Sequence, residues 1–393
     1  MTAQITSTST TTTLQNNGNA YMSVDTNDVV TMNQASLNGG QLAGRRNIVI
    51  NGEMKVSQRS TSVAGLGGGS AYATLDRYRT AVGAASAGRF TMAQIADGPA
   101  GFANCLKITT TTADTSIAAG ENLQIVTRFE GQDVQQLQKG TATAKQVTVS
   151  FYVKGNATAT YTCELQDYDN GRSIQQAFAV TTAWNRIELT FAADTSDPFD
   201  DDNAGSLGLA FWLHGGSTYT GGTFSSNAWK DTVDNTRLSD SQTSIFDATS
   251  RTFFITGVQM ELGTVATPFE HRPYGEELAL CQRYAPIFNF AGANQTISGS
   301  GFAYSTSALL INCTFPVQTR VIPTGVTVTG TFNGYTAAGG NSGNFTGIAR
   351  GAGNSVYSGT LNCTGGSGLT AAQGTYLLSP AGASQIEFTG CEL

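Results

Sequence analysis

Apolar residues fall along this chain in short runs of period two, separated by breaks rich in glycine, asparagine and aspartate. Between Arg45 and Tyr274 such runs, at 47–56, 76–82, 88–95, 104–110, 122–129, 146–154, 158–166, 177–180, 186–192, 206–213 and 252–261, read as strands. Short strands broken by turn residues at this spacing are the pattern of a jelly roll or sandwich. No run alternates with a ten-residue amphipathic helix, which argues against a parallel α/β sheet. Two short helices are predicted. "GQDVQQLQ", 131–138, places Val134 and Leu137 on one side. "GEELALCQRYAP", 275–286, opens on glutamates and closes near Arg283, as the helix dipole favours, and Pro286 stops it.

The pattern divides the chain into four parts. Residues 1–44 are a polar head whose patterned portion reads as one hairpin, 20–24 with 29–32, around "DTND". Too thin to bury a core, it is expected to serve as an attachment or stalk segment. Residues 45–274 form the central jelly-roll β-sandwich, and residues 275–287 a helical hinge. Residues 288–393 form a smaller, glycine-rich C-terminal β-domain, with strands expected at 301–305, 307–315, 325–332, 344–350, 355–363 and 384–393. The fold class is all-β.

Charge narrows the partners. Only 12% of residues are charged, against roughly 25% in an average globular chain, and the formal net charge is −7. A nucleic-acid partner would need a basic stripe that this sequence lacks. No apolar run is long enough for a membrane helix, and the start "MTAQITSTSTTTTLQ" has no apolar h-region, so neither membrane insertion nor a signal peptide is expected. The six cysteines are too widely spaced for a CxxC zinc pattern and read as buried thiols. A disulfide from Cys313 to Cys363 or Cys391 is the alternative, because all three fall in the last segment.

Candidate chemistry is sparse. The two histidines, His214 and His271, are far apart in sequence, and neither G-x-S-x-G nor H-E-x-x-H accompanies them, so structural roles are expected. Glycosidase chemistry needs two carboxylates about 5–10 Å apart. Glu164 with Asp167 and Asp169 could supply them, but "CELQDYDNGR" reads more simply as a strand, a turn and a solvated edge. In the loop "DTSDPFDDDNAGS", Asp197, Asp200, Asp201 and Asp202 offer the hard oxygens that Ca²⁺ takes, without EF-hand spacing. This is a candidate structural Ca²⁺ site, set against a solvated turn.

Residues 288–393 carry just Arg320, Arg350, Glu387 and Glu392 as charged side chains. A neutral surface of hydroxyls, amides and tyrosines suits sugar hydroxyls, which need donors, acceptors and an aromatic face. The glycan-contact candidates there are Tyr304, Tyr335 and Tyr357. Among the sandwich aromatics Tyr168, Trp184, Trp212, Tyr219 and Trp229, Trp229 is the better platform because its neighbours in "SSNAWKDTVDN" are polar.

The residues "RRNIVINGEMKVSQR", followed by "YATLDRYR", resemble a module of tail-associated and fibre-like proteins of marine and cyanobacterial bacteriophages. Its pattern runs roughly N-x-[IL]-I-N-G-x-M-x-V-x-Q-R and then D-R-[WY]. The closing stretch "FFITGVQMELGTVATPFEHRPYGEELALCQRYAP" resembles the end of the same module, so the two motifs bracket Arg45–Pro286. The resemblance implies a carbohydrate-binding-type jelly roll followed by a glycine-rich β-domain, whose usual start "INCTFPVQTRVIPTGVTVTG" resembles. The segment from Arg45 to Gln58 is expected to be the first strand of the sandwich, with Asn51-Gly52 as a bulge or tight turn within it, pairing antiparallel with the closing strand, with Ile48, Ile50, Met54 and Val56 on one face.

Taken together, the expectation is a non-catalytic bacteriophage virion protein of the tail-fibre class. It would be a homotrimer in the phage particle, joined to other tail or capsid proteins through residues 1–44, and binding a host surface glycan or receptor. A purely architectural capsid fibre, decoration or tail-adaptor protein is the alternative reading, and a polysaccharide depolymerase the third.

Overall fold

The computed structural model is all-β. It describes the backbone of four strands within residues 4–32, and residues 45–393 except Ala85, Ser298 and Ala338. The four strands, Gln4–Ser7, Thr11–Asn16, Asn19–Asp25 and Val30–Met32, pair antiparallel in chain order. The expected hairpin is present, with Met22 opposite Met32 and Val24 opposite Val30, and the middle of its turn lies outside the described residues.

The jelly roll is built from two six-stranded antiparallel sheets. One runs, in spatial order, Asn185–Phe191, Val147–Gly155, Thr252–Leu262, Cys105–Thr112, Arg89–Ile95 and Ser62–Leu66. The other runs Lys230–Asp231, Arg172–Val180, Ala159–Asp167, Gly205–Gly215, Asn122–Glu130 and Arg79–Val82. Alternate residues of each strand meet between the sheets. Phe151 stands there edge-on to Phe178 and Phe211, at 5.0 and 4.9 Å between ring centroids. The Ser62–Leu66 strand carried no sequence signal because it is an exposed edge with a glycine and buries little.

The expected first strand forms no ladder, while a turn lies at Asn51-Gly52 as expected. Within 47–56, Asn51 and Met54 take positive φ of 61° and 57°, and the Met54 N–H bonds the Asn51 carbonyl at 3.0 Å, closing a turn that a ladder cannot contain. The segment still lies antiparallel to the closing strand, touching it twice: Ile48 N–H to the Met260 carbonyl and Val258 N–H to the Gly52 carbonyl, each 2.9 Å. Asparagine side chains replace the missing ladder. The Asn47 amide donates to the Val258 carbonyl at 3.2 Å and accepts from Met260 N–H at 3.1 Å. Asn51 accepts from Val56 N–H at 2.9 Å and donates to the carbonyls of Val56 and Asp76 at 2.8 and 3.0 Å. The expected facing is also reversed at the start, where Asn47 and Val49 are buried and Ile48 and Ile50 half-buried.

The closing motif binds the opening one. Glu270 accepts from Asn47 N–H at 2.7 Å, Glu277 from Asn51 N–H at 2.6 Å, and Arg272 donates to the Val49 carbonyl at 3.0 Å. Glu277 belongs to the helix Tyr274–Gln282, which follows the sandwich.

The C-terminal β-domain pairs a three-stranded sheet, Ile287–Phe290, Ser384–Thr389 and Gly325–Thr329, with an eight-stranded one. The larger sheet runs Asn341–Asn344, Asn333–Thr336, Gly374–Ser379, Gly299–Ala303, Leu309–Thr314, Ser358–Thr364 and Gly347–Arg350, and Gln295–Thr296 also pairs with Gly374–Ser379. Leu309, Ile311, Leu361, Leu377, Ile386 and Phe388 lie in its core. The run expected at 344–350 is divided between Asn341–Asn344 and Gly347–Arg350, at opposite ends of the large sheet.

Charges gather at the junction of the two β-units. Arg59 donates to Glu387 at 2.9 and 2.7 Å and to Glu392 at 2.9 Å. Arg320 holds the carbonyls of Cys391, Glu392 and Asn203 at 2.8, 2.7 and 2.9 Å. All six cysteines are buried free thiols, and burial pushes Cys313 and Cys363 up to about 12. The alternative disulfide is absent: Cys313 sits opposite Gly359, and Cys363 opposite Leu309.

Candidate functional site

The outward face of the large C-terminal sheet is where exposed aromatics collect. Cross-strand partners share a face, so the register fixes a row across the sheet. Asn341 faces Tyr335 and Tyr335 faces Tyr376. Two residues before Tyr376, Gly374 faces Phe302, which faces Leu310, which in turn faces Asn362. Residues of the opposite parity, among them Leu377, Ala303, Leu309, Ile311 and Leu361, are fully buried. The sheet therefore packs one face and presents the other.

Phe302 is 49% exposed, Tyr304 45% and Tyr376 42%, values that core aromatics do not have. Tyr335 and Tyr376 stack with centroids 5.4 Å apart and planes within 6°. Phe302 stands opposite glycine on one side, Gly374, and opposite Leu310 on the other. Tyr304, two residues further along, hydrogen-bonds Asn362 Oδ1 at 2.9 Å and edges a hollow of about 340 Å³ with Leu310, Thr360 and Asn362. Beyond the stacked tyrosine pair, the diagonal step from Tyr376 to Phe302 and the two-residue step to Tyr304 space the strand positions by about 7 Å. At one end of the row Asn341 donates to the Tyr335 hydroxyl at 3.0 Å. The row contains no charged side chain: Arg320, Glu387 and Glu392 are engaged at the junction, and Arg350, on the edge strand, stands opposite Leu361 and off the row's parity.

The fold thus brings together two of the sequence candidates, Tyr304 and Tyr335, and adds Phe302 and Tyr376. Those two lie in "GSGFAY" and "GTYLLS". Their signal was an aromatic at a strand position flanked by glycine, legible only once the cross-strand register is known. Tyr357, 62% exposed, stands beyond the end of Ser358–Thr364 with the parity of buried Leu361, outside the row.

The sandwich candidates are committed elsewhere. Trp229 is not an open platform: it is half-buried against the core, and its Nε1–H bonds the Ala192 carbonyl at 2.8 Å. Trp212 is fully buried, donates to Glu164 at 2.8 Å and lies under the Arg237 guanidinium, 4.6 Å from the ring centroid. Trp184 bonds Asp97 at 3.3 Å, Tyr168 lies under Arg128, and Tyr219 packs on Trp212 at 5.1 Å.

The carboxylate set is likewise engaged. Glu164 accepts from Arg237 at 2.8 and 2.7 Å, and Asp167 pairs with Lys139 at 2.7 Å. Asp169 accepts from Asp200 N–H at 3.0 Å. Asp197, Asp200, Asp201 and Asp202 do not converge, and among the described residues no three His, Cys, Asp or Glu side chains are grouped to hold a metal ion. The loop is held through its backbone instead, with Lys139 on the Ser196 and Asp197 carbonyls at 2.9 and 2.5 Å. His214 is buried between Ser244, at 2.8 Å, and Glu121, at 3.4 Å, and His271 pairs with Glu53.

No protein-family model matches the sequence, and no curated protein does. Among solved structures, the enzymatically active domain of bacteriophage CBA120 tailspike protein 4 is similar at 13% identity and a TM-score of 0.29, over 55% of this chain and 21% of that one. A CBM4 structure is similar at 14% identity and 0.29, over 54% and 97%. The family 11 carbohydrate-binding module of the Clostridium thermocellum cellulase Lic26A-Cel5E is similar at 12% identity and 0.27, over 53% and 99%. The chain thus spans about a fifth of the tailspike domain's length.

Proposed function

We propose that this protein binds a neutral surface glycan, without cleaving it, through the aromatic row Tyr335–Tyr376–Phe302–Tyr304. The observation that carries the reading is the exposure of Phe302, Tyr304 and Tyr376 on one uncharged sheet face. Leaving three large aromatic surfaces in water forgoes about 25 cal/mol for each Å² of apolar area that could be buried. A contiguous apolar patch rimmed by amides and hydroxyls marks a binding surface. The C–H faces of sugar rings pack on such aromatics, while Asn341, Asn362 and the tyrosine hydroxyls take the sugar hydroxyls. The resemblance of the two bracketing motifs to phage fibre-like proteins supplies the setting: a virion component of the tail-fibre class that contacts the host surface. Hybridising labelled full chain to a glycan array tests it. Binding to neutral glycans that Phe302→Ala/Tyr376→Ala abolishes supports the reading, and an array without hits refutes it.

A further inference from the structure

A second cavity, on the sandwich, has a different chemistry. It measures about 430 Å³ and is lined by no residue of the C-terminal β-domain. Four arginines, Arg45, Arg77, Arg128 and Arg272, line it with Thr127, and Asp133 is its one acid among the described residues. The guanidiniums are fixed in place. Arg77 lies on the Tyr284 ring, 3.5 Å from its centroid, and donates to the Arg128 carbonyl. Arg272 holds the backbone of Asn47 and Val49 and meets Glu277 at 3.3 Å. Arg128 rests on Tyr168 at 4.2 Å, and at the rim Arg45 pairs with Glu276.

Donors are left over. Arg77 Nε, Arg128 Nε, Arg272 Nε and the Thr127 hydroxyl are buried atoms with no protein partner, all from residues of this one cavity. The ion pairs leave one arginine over: Arg45 has Glu276, Arg77 has Glu392 at 3.5 Å, a carboxylate it shares with Arg59, and Arg272 has Glu277, while Arg128 makes no ion pair among the described residues. A buried donor left without an acceptor destabilises the fold, because its lost hydration is not replaced. Several such donors around one cavity of ligand size are a site awaiting an acceptor-rich, negatively charged group. Guanidinium forks match carboxylate and phosphate oxygens.

We infer that the cavity lined by Arg77, Arg128 and Arg272 binds a compact oxyanion, a carboxylate- or phosphate-bearing unit about the size of one sugar. Isothermal titration of the full chain at low salt, with glucuronate, glucose 6-phosphate and glucose as probes, tests it. At least one of the two anions binds and glucose does not. Binding of glucuronate alone identifies the carboxylate as the recognised group, and of glucose 6-phosphate alone the phosphate. Arg128→Gln weakens the binding roughly tenfold, by the loss of one charge-assisted contact. Asp133→Asn, at an exposed position, tightens it severalfold by removing the opposing acid, and it decides the matter if Arg128→Gln does not fold. The inference is overturned if neither anion binds, if glucose binds equally, or if Asp133→Asn leaves the affinity unchanged.

Discussion

At the scale of single residues, the opening motif is a joint. A Cβ on Gly52 would stand 2.1 Å from the Val258 carbonyl oxygen, so the close pass of this segment over the closing strand needs glycine. Gly52→Ala is expected to lower stability by about 2–4 kcal/mol, measured by urea denaturation, since backbone must shift to admit the methyl. The turn at Asn51-Gly52 was legible in the sequence, but the bonds that the Asn47 and Asn51 side chains make were not. Side chain-to-backbone bonds that stand in for a ladder leave no periodicity to read. His214 gives a pH prediction. Burial holds its pKa below the ordinary value of 6.5, against the opposing pull of Glu121 and Asp114. A depressed folded pKa means that its stabilising contribution is present above 6.5 and lost as pH falls through the folded value. The melting temperature is therefore expected to drop on acidification below pH 6.5, with a shallower slope in His214→Gln. Equal slopes would exclude His214 as the cause.

Elements were legible where burial imposes alternation and obscure where it does not. The strands at 104–110, 122–129 and 158–166 appear as Cys105–Thr112, Asn122–Glu130 and Ala159–Asp167, because alternate residues of each, such as Leu106 and Ile108, Leu123 and Ile125, and Tyr161, Cys163 and Leu165, lie in the core. Asn333–Thr336 and Gly374–Ser379 escaped, although both carry the aromatic row, since glycine and threonine mask their alternation. The sheet containing Glu164 also carries a loop on its outer side, pinned by the paired bonds from Arg237. Arg237→Ala strands a fully buried carboxylate and is expected to cost about 3–5 kcal/mol, as breaking a buried pair from one side does. Glu164→Ala/Arg237→Ala, which removes both charges, is expected to recover part of that loss in the same denaturation experiment. No recovery would mean that Arg237 acts through packing on Trp212 alone.

For the whole molecule, the division of labour follows from where the charges go. Arg59, Glu387, Glu392 and Arg320 are drawn into the junction between the β-units and Arg350 sits on the edge strand opposite Leu361, which leaves the aromatic row of the C-terminal domain without charge. Residues 1–44 are proposed to supply attachment and trimerisation. A chain beginning at Arg45 is therefore expected to bind glycan as before while sedimenting as a monomer, and the full chain as a trimer. The central claim is that the Phe302 face is the glycan site. Its most direct test is titration of the strongest array ligand against the full chain and against Phe302→Ala/Tyr376→Ala, with melting temperatures recorded for both. The prediction is an affinity at least tenfold weaker in the variant, with melting within a few degrees, because both side chains project into solvent. Undiminished affinity in a folded variant would contradict it.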